Sequence, residues 1–168
     1  MPRAVKEREG GAAEPAGGAD PGKPPAKPRK GRRGYALNAQ VGFLLRKAQQ
    51  RHVSIFTTHI HEDLTPMQFA ALAKLAETGP CSQNSLGRRT AMDVATIKGV
   101  VARLEERGLV EKRPSPDDRR KLLIDLTPEG RRTFERAVPQ AMEISAMTLA
   151  ALTKEEQSVF MRLLKKLT

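Results

Sequence analysis

The chain has 168 residues, a mass of 18.5 kDa and 30 Lys plus Arg against 19 Asp plus Glu, giving a formal charge of +11 and a pI near 10.3. That length holds one ordinary domain and a tail; one cysteine excludes a disulfide framework, and the lack of an apolar run of about 18 residues argues against a membrane span or a membrane partner. A cation surplus of this size attracts polyanions, nucleic acid first.

The opening residues are basic and lead into no apolar stretch with a cleavage site, so no secretory leader is expected and the protein is read as cytoplasmic. Residues 1–36 hold 6 of the 12 Pro and 7 of the 13 Gly, with Tyr35 as their single aromatic, and their nine cations against four acids make them +5. They bury too little apolar surface to offset chain entropy, so they read as a disordered basic Pro/Gly-rich arm. From Leu37 the spacing turns helical: Leu37, Val41, Leu44, Leu45, Ala48, Ile55, Phe56 and Ile60 trace one face of a helix ending near Asp63. Thr65 then caps a second helix, with Pro66 in its first turn and Gln68 at the capping-box position; Met67, Phe69, Leu72 and Leu75 form its buried side, and Gly79-Pro80 stops it. A short third helix over 82–89 precedes a fourth, capped by Asp93, that runs to Arg107 and is closed by Gly108. Past Gly108 the period falls to two. Leu109 to Arg113, a turn at residues 114–118 and Lys121 to Leu126 describe a β-hairpin. Thr127-Pro-Glu starts another helix, with apolar positions Phe134, Val138, Met142 and Leu149 carrying it toward Leu152 and Pro139 expected to bend it. Thr153 and Glu156 form a capping box for the last helix, whose apolar side is Val159, Phe160, Leu163, Leu164 and Leu167.

Two short helices joined by a tight turn and followed by a basic ribbon predict a mainly α winged helix-turn-helix with a small β-wing, a shape that puts one helix in the major groove of double-stranded DNA. In the fourth helix Ile97, Val100, Val101 and Leu104 face inward, which turns Ala95, Thr96, Lys98, Gly99, Ala102 and Arg103 outward. Small residues there permit close approach, Thr96 suits a base edge or a thymine methyl, and Lys98 and Arg103 suit guanine or phosphate. On the hairpin tip Arg119 is placed to enter the minor groove, while Asp118 and Arg120 pair to hold the wing. Arg88, Arg89, Lys112 and Arg113 complete the set as phosphate contacts.

Asp118-Arg-Arg-Lys-Leu-Leu-Ile-Asp-Leu-Thr127, followed by Pro-Glu-Gly130, resembles the D-x-R-x5-L-T-x-x-G signature of the MarR transcriptional regulators, and Leu104-Glu-Glu-Arg-Gly-Leu-Val110 resembles the segment that precedes it. The likeness covers about residues 38–168. It implies a dimeric architecture: a DNA-binding lobe at about 64–127, dimerisation helices at about 37–63 and 127–168, and a homodimeric repressor reading a pseudo-palindrome with half-sites roughly 10 base pairs apart. Gly99 departs from the larger polar residue common there, which leaves base readout at that step open.

The resemblance also implies release of DNA when a small molecule enters a crevice between the dimer helices and the DNA-binding lobe, lined by the first, second and fifth helices. Arg46, His52, Phe56 and His59 would supply it from the first helix, with Phe69 and Met142 as apolar walls. The subgroup it looks like controls degradation of aromatic acids such as hydroxycinnamate and benzoate. The effector is therefore read as an aromatic acid or its CoA thioester, p-coumaroyl-CoA for example, with Arg46, Lys47 and Arg51 available to a phosphorylated end. Two other readings stay open: a redox-sensing regulator, in which arginines lower the pKa of Cys81, and a sequence-neutral architectural DNA binder. His59 and His61, two residues apart on a helix, diverge too far to chelate together, so no metal and no cofactor is expected. The sequence carries neither a Gly-rich phosphate loop nor a nucleophile with its base, so it does not read as an enzyme.

Overall fold

The first helix forms more briefly than its apolar spacing predicts. In the computed structural model, which describes residues 35–168, a 3-10 turn at Leu37–Ala39 precedes α1 (Val41–His59). Apart from Tyr35 and Ala36, the basic arm expected at the N-terminus lies outside the described residues. Ile60 leaves the helix at φ −84° and ψ 126°, and Asp63 adopts φ 52°, a left-handed conformation that Asp tolerates better than most residues. This break, instead of helix up to Asp63, lets Leu64 enter the core.

α2 (Pro66–Thr78) starts on a complete capping box between Thr65 and Gln68 and ends at Gly79, whose φ is 74°. The box brings Gln68 inside, beside Ala71, Leu72 and Leu75. Met67, expected on the buried side, is 51% exposed. Ser82 caps α3 (Gln83–Arg89) and Asp93 caps α4 (Val94–Glu106), with Ala91 at φ 53° in the turn between them. Gly87 permits their close crossing, since a Cβ there would lie 3.1 Å from the Ile97 side chain and 3.2 Å from the Met92 carbonyl oxygen. α4 buries Ile97, Val100, Val101 and Leu104, and Gly108 at φ 67° turns the chain into the sheet.

Strands β1 (Val110–Pro114) and β2 (Leu122–Leu126) pair antiparallel from Val110 opposite Leu126 to Pro114 opposite Leu122. Cys81 adds a single bridge to Ile124, through backbone bonds of 3.2 and 2.8 Å, and anchors the base of the hairpin to the start of α3. α5 (Pro128–Leu149) runs through Pro139 as one helix, and α6 (Lys154–Leu164) follows the expected Thr153 box. On α5 the buried positions are Gly130, Thr133, Ala137 and Ile144. Met142, expected on the apolar side, points away from that face and is 70% exposed.

The core joins α2, α3, α4, the sheet and α5 through Leu72, Leu75, Leu86, Ile97, Leu104, Ile124 and Ile144. A ladder of rings links α1 to it: Phe56 to Phe69 at 5.9 Å and Phe69 to Phe134 at 5.7 Å between centroids. Val41, Leu44 and Leu45 on α1, with Val159, Phe160, Met161 and Leu163 on α6, remain exposed, and α6 buries no residue at all within the chain.

Candidate nucleic-acid interface and effector cavities

The Asp93 carboxylate fixes where α4 begins, accepting from the Thr96 backbone N–H at 2.7 Å, and this bond holds the Asp93 pKa below the usual range. Beyond that cap Ala95, Lys98, Ala102 and Arg103 are exposed, while Thr96 and Gly99 are half-buried. At the wing, Asp118 Oδ1 accepts from the Arg120 backbone N–H at 3.0 Å and from Arg120 Nε at 3.4 Å. The two predicted wing residues are thus together, with Arg119 exposed between them.

The basic residues sort into two groups. Among the described residues, Arg88, Arg89, Lys98, Arg103 and Arg119 have no acidic side chain within 4.0 Å. Lys112 instead pairs with Glu105 at 2.5 Å, and Arg113 with Asp125 at 2.6 Å. The sequence predicts that Arg113 meets phosphate, but its charge is taken up across the sheet by Asp125, one position before the end of the strand. Its partner was out of reach of the sequence because diagonal pairing depends on the hairpin register.

Two cavities flank α1. The first, about 720 Å³, lies between α1, the link to α2 and α4, with Gln49, Val53, Thr57, Met67, Thr96, Gly99 and Arg103 on its walls. A Cβ on Gly99 would meet nothing within 4 Å, so the glycine keeps this wall open. Ala95, Thr96 and Arg103, expected from the sequence to face DNA, thus also line a crevice. The second, about 660 Å³, lies between α1, α5 and α6 and is lined by Leu45, Arg46, His52, Thr148, Leu149, Phe160 and Leu164, among others. Here the Arg46 guanidinium sits 5.2 Å from the Phe43 ring centroid, and His52 Nδ1 lies 3.0 Å from Thr148 Oγ1.

The predicted effector residues do not converge on one site. Arg46 and His52 share the second cavity, but Phe56 and Phe69 belong to the ring ladder, which fills the expected space between the first, second and fifth helices. His59 is exposed, with Nδ1 2.9 Å from the Ile55 carbonyl oxygen, and Met142 lines neither cavity. Among the described residues no three His, Cys, Asp or Glu side chains group so as to hold a metal ion.

The sequence pattern of the MarR family matches residues 64–122. The HTH-type transcriptional repressor NicR of Pseudomonas putida is 42% identical over 134 residues, which span 79% of this chain and 85% of NicR. The chain belongs to the MarR family. A probable transcriptional regulator from Pseudomonas aeruginosa has the same fold at a TM-score of 0.77 and 50% identity, over 79% of this chain and 100% of that one. BpsR of Bordetella bronchiseptica, whose DNA binding is regulated by 6-hydroxynicotinic acid, is similar at a TM-score of 0.75 and 42% identity, over 79% of this chain and 96% of BpsR.

In this MarR regulator the signature residues have mechanical roles. Thr127 Oγ1 donates to the Gly108 carbonyl at 2.6 Å and accepts from the Gly130 N–H at 2.9 Å, which seats the first turn of α5 on the end of α4. Any Cβ on Gly130 would overlap the Leu109 carbonyl. Sequence reasoning missed Glu62, Arg107 and Arg136, which join elements 44 or more residues apart and form no local pattern. It also expected arginines to lower the Cys81 pKa. Burial instead pushes that thiol up and outweighs the opposing charge of Arg89, so the thiolate needed for redox chemistry is disfavoured.

Proposed function

We propose that this MarR protein is a homodimeric repressor that binds a pseudo-palindromic operator in double-stranded DNA and leaves it when a small aromatic acid binds. The observation that carries DNA recognition is the group of cations without acidic partners on α3, α4 and the wing tip, beside neighbouring lysine and arginine whose charges are already met. Lys98, Arg103 and Thr96 would address base edges or phosphates, Ala95 would allow close approach, Arg88 and Arg89 would bind backbone, and Arg119 would enter the minor groove. The apolar faces of α1 and α6 support pairing of two copies, because a lone subunit leaves both in water.

The second cavity supports the effector class. Its walls, of which Leu45 and Phe160 also belong to the pairing face, would lie at the seam between two copies: Leu149 and Leu164 suit a ring, Arg46 suits a carboxylate, and His52 suits a ring hydroxyl. Its 660 Å³ has room for a free aromatic acid. The regulation of BpsR by 6-hydroxynicotinic acid adds weight to the free acid.

The test is operator selection from random duplexes, followed by anisotropy titration with 6-hydroxynicotinate, 4-hydroxybenzoate, p-coumarate and p-coumaroyl-CoA. Free acids should weaken operator binding, and Arg46→Ala should abolish that response while leaving DNA affinity intact. Release by p-coumaroyl-CoA alone would move the effector to the thioester class, and no response to any of the four would reject an aromatic effector. A preference of less than about a thousandfold over bulk DNA would favour a sequence-neutral binder instead.

A further inference from the structure

The six residues 60–65 between α1 and α2 are gripped from two sides. From α4, the Arg107 guanidinium donates to the Glu62 carbonyl at 2.8 Å and to the Asp63 carbonyl at 2.5 Å. Arg107 is the C-terminal cap of the helix that carries Thr96, Lys98 and Arg103. From α5, Gln140 Oε1 accepts from the His61 N–H at 2.7 Å, and Arg136 Nε stands 3.6 Å from Glu62 Oε1. Arg136 is held in turn on its own helix by Thr133 Oγ1 at 3.1 Å and Glu129 Oε1 at 3.4 Å.

Glu62 is the weak member of this chain of contacts. Its side chain is only 10% exposed, its one ion contact is too long for a hydrogen bond, and its other carboxylate oxygen is buried without a partner. A buried carboxylate satisfied so poorly is a costly way to gain stability, and a hydrophobic residue of similar size would serve a purely structural purpose better. What the arrangement does supply is an unbroken run of contacts from α5, through the link, to the end of α4, in which Gln140 and Arg107 make the hydrogen bonds and Arg136 with Glu62 the longer ion contact. Asp63, held at φ 52° between two grips, fixes the direction of the link.

We propose that Glu62, Arg107 and Arg136 are positioning residues that set the distance between the two recognition helices of the dimer by tying each α4 to its α5. This rests on the dimeric operator-binding reading above. With the strut loosened, each half-site should be bound as before, while the spacing between half-sites should matter less.

The test compares wild type with Glu62→Gln, which keeps the side-chain volume and removes the charge, and with Arg107→Lys, which keeps the charge and reaches one carbonyl in place of two. Affinity is measured for one half-site, for the selected operator, and for operators with one or two base pairs inserted at the centre. Half-site affinity should stay within twofold of wild type, while the penalty for an insertion should shrink by about tenfold in both variants. A role in stability alone would lower the melting temperature without changing the ratio between spacings. Equal spacing penalties in wild type and both variants would overturn the proposal and leave the dimeric reading standing. A wild type indifferent to spacing, or without any preferred operator, would remove the dimeric reading and the strut with it.

Discussion

Substituting Gly130 by Ala places a methyl group against the Leu109 carbonyl, with its nearest further neighbours the Leu109 carbonyl carbon at 2.8 Å and Cα at 3.2 Å. None of these is the movable end of a side chain. The Leu109 carbonyl accepts from the Thr127 N–H at 3.2 Å, and the Gly108 carbonyl beside it accepts from Thr127 Oγ1, so backing away would break the seat of α5. Overpacking against a fixed neighbour costs about 1–3 kcal/mol or more, against a gain in helix propensity of at most about 1 kcal/mol at this first-turn position. The net loss should be about 2 kcal/mol, which lowers the melting temperature of a domain this size by roughly 8 °C. Gly99→Ala makes the matched control. It lies within α4, its Cβ meets nothing within 4 Å, and it should gain up to about 1 kcal/mol, or roughly 4 °C. Calorimetric melts at one fixed protein concentration read both, since assembly shifts the midpoint. A Gly130→Ala protein melting at or above wild type would refute the argument that this contact is rigid.

Three further outcomes follow from the charges and the thiol. Arg119→Ala should lower the slope of log affinity against log salt by about one, and Arg113→Ala should change it far less because Asp125 already meets that charge; equal slopes would contradict the sorting of cations by partner. The Asp93 carboxyl titrates below its unfolded value, so its contribution to stability is present above the unfolded pKa, about 3.9, and is lost as pH falls through the folded one. Asn at this position keeps an acceptor for the Thr96 N–H without a proton to gain, so Asp93→Asn should melt with a shallower acid dependence in the range below about pH 4, as thermal scans across pH would show. Mild peroxide should leave operator affinity unchanged in wild type and in Cys81→Ala alike, and a loss prevented by the substitution would restore a sensing role to this thiol.

Much of the architecture was written in local chemistry. Thr65 with Gln68, Asp93, Thr127 and Thr153 with Glu156 announce helix starts because a cap is a bond between near neighbours, and all four accept the bonds their positions predict. Gly108 marks the end of α4 because few other residues take φ 67° without strain. The failures occur where a distant element decides. α1 ends early because the link is gripped by Arg107 from α4 and by Arg136 and Gln140 from α5, and Met142 is exposed because α5 turns its Ala137 and Ile144 face inward. Arg46, His52, Phe56 and His59 read as neighbours along the first helix, yet α1 is a partition: Phe56 faces the core, Arg46 and His52 face α5 and α6, and Gln49 borders both cavities. Helical spacing tells which residues share a side and says nothing of what stands opposite.

Gln49, common to both hollows, makes α1 a wall between two chambers whose contents need not be alike. If the effector proposed above enters one hollow, any shift it causes in α1 alters the boundary of the other, and a second compound would compete or assist without touching the first. Binding curves taken with single compounds would then understate how the regulator reads a mixture.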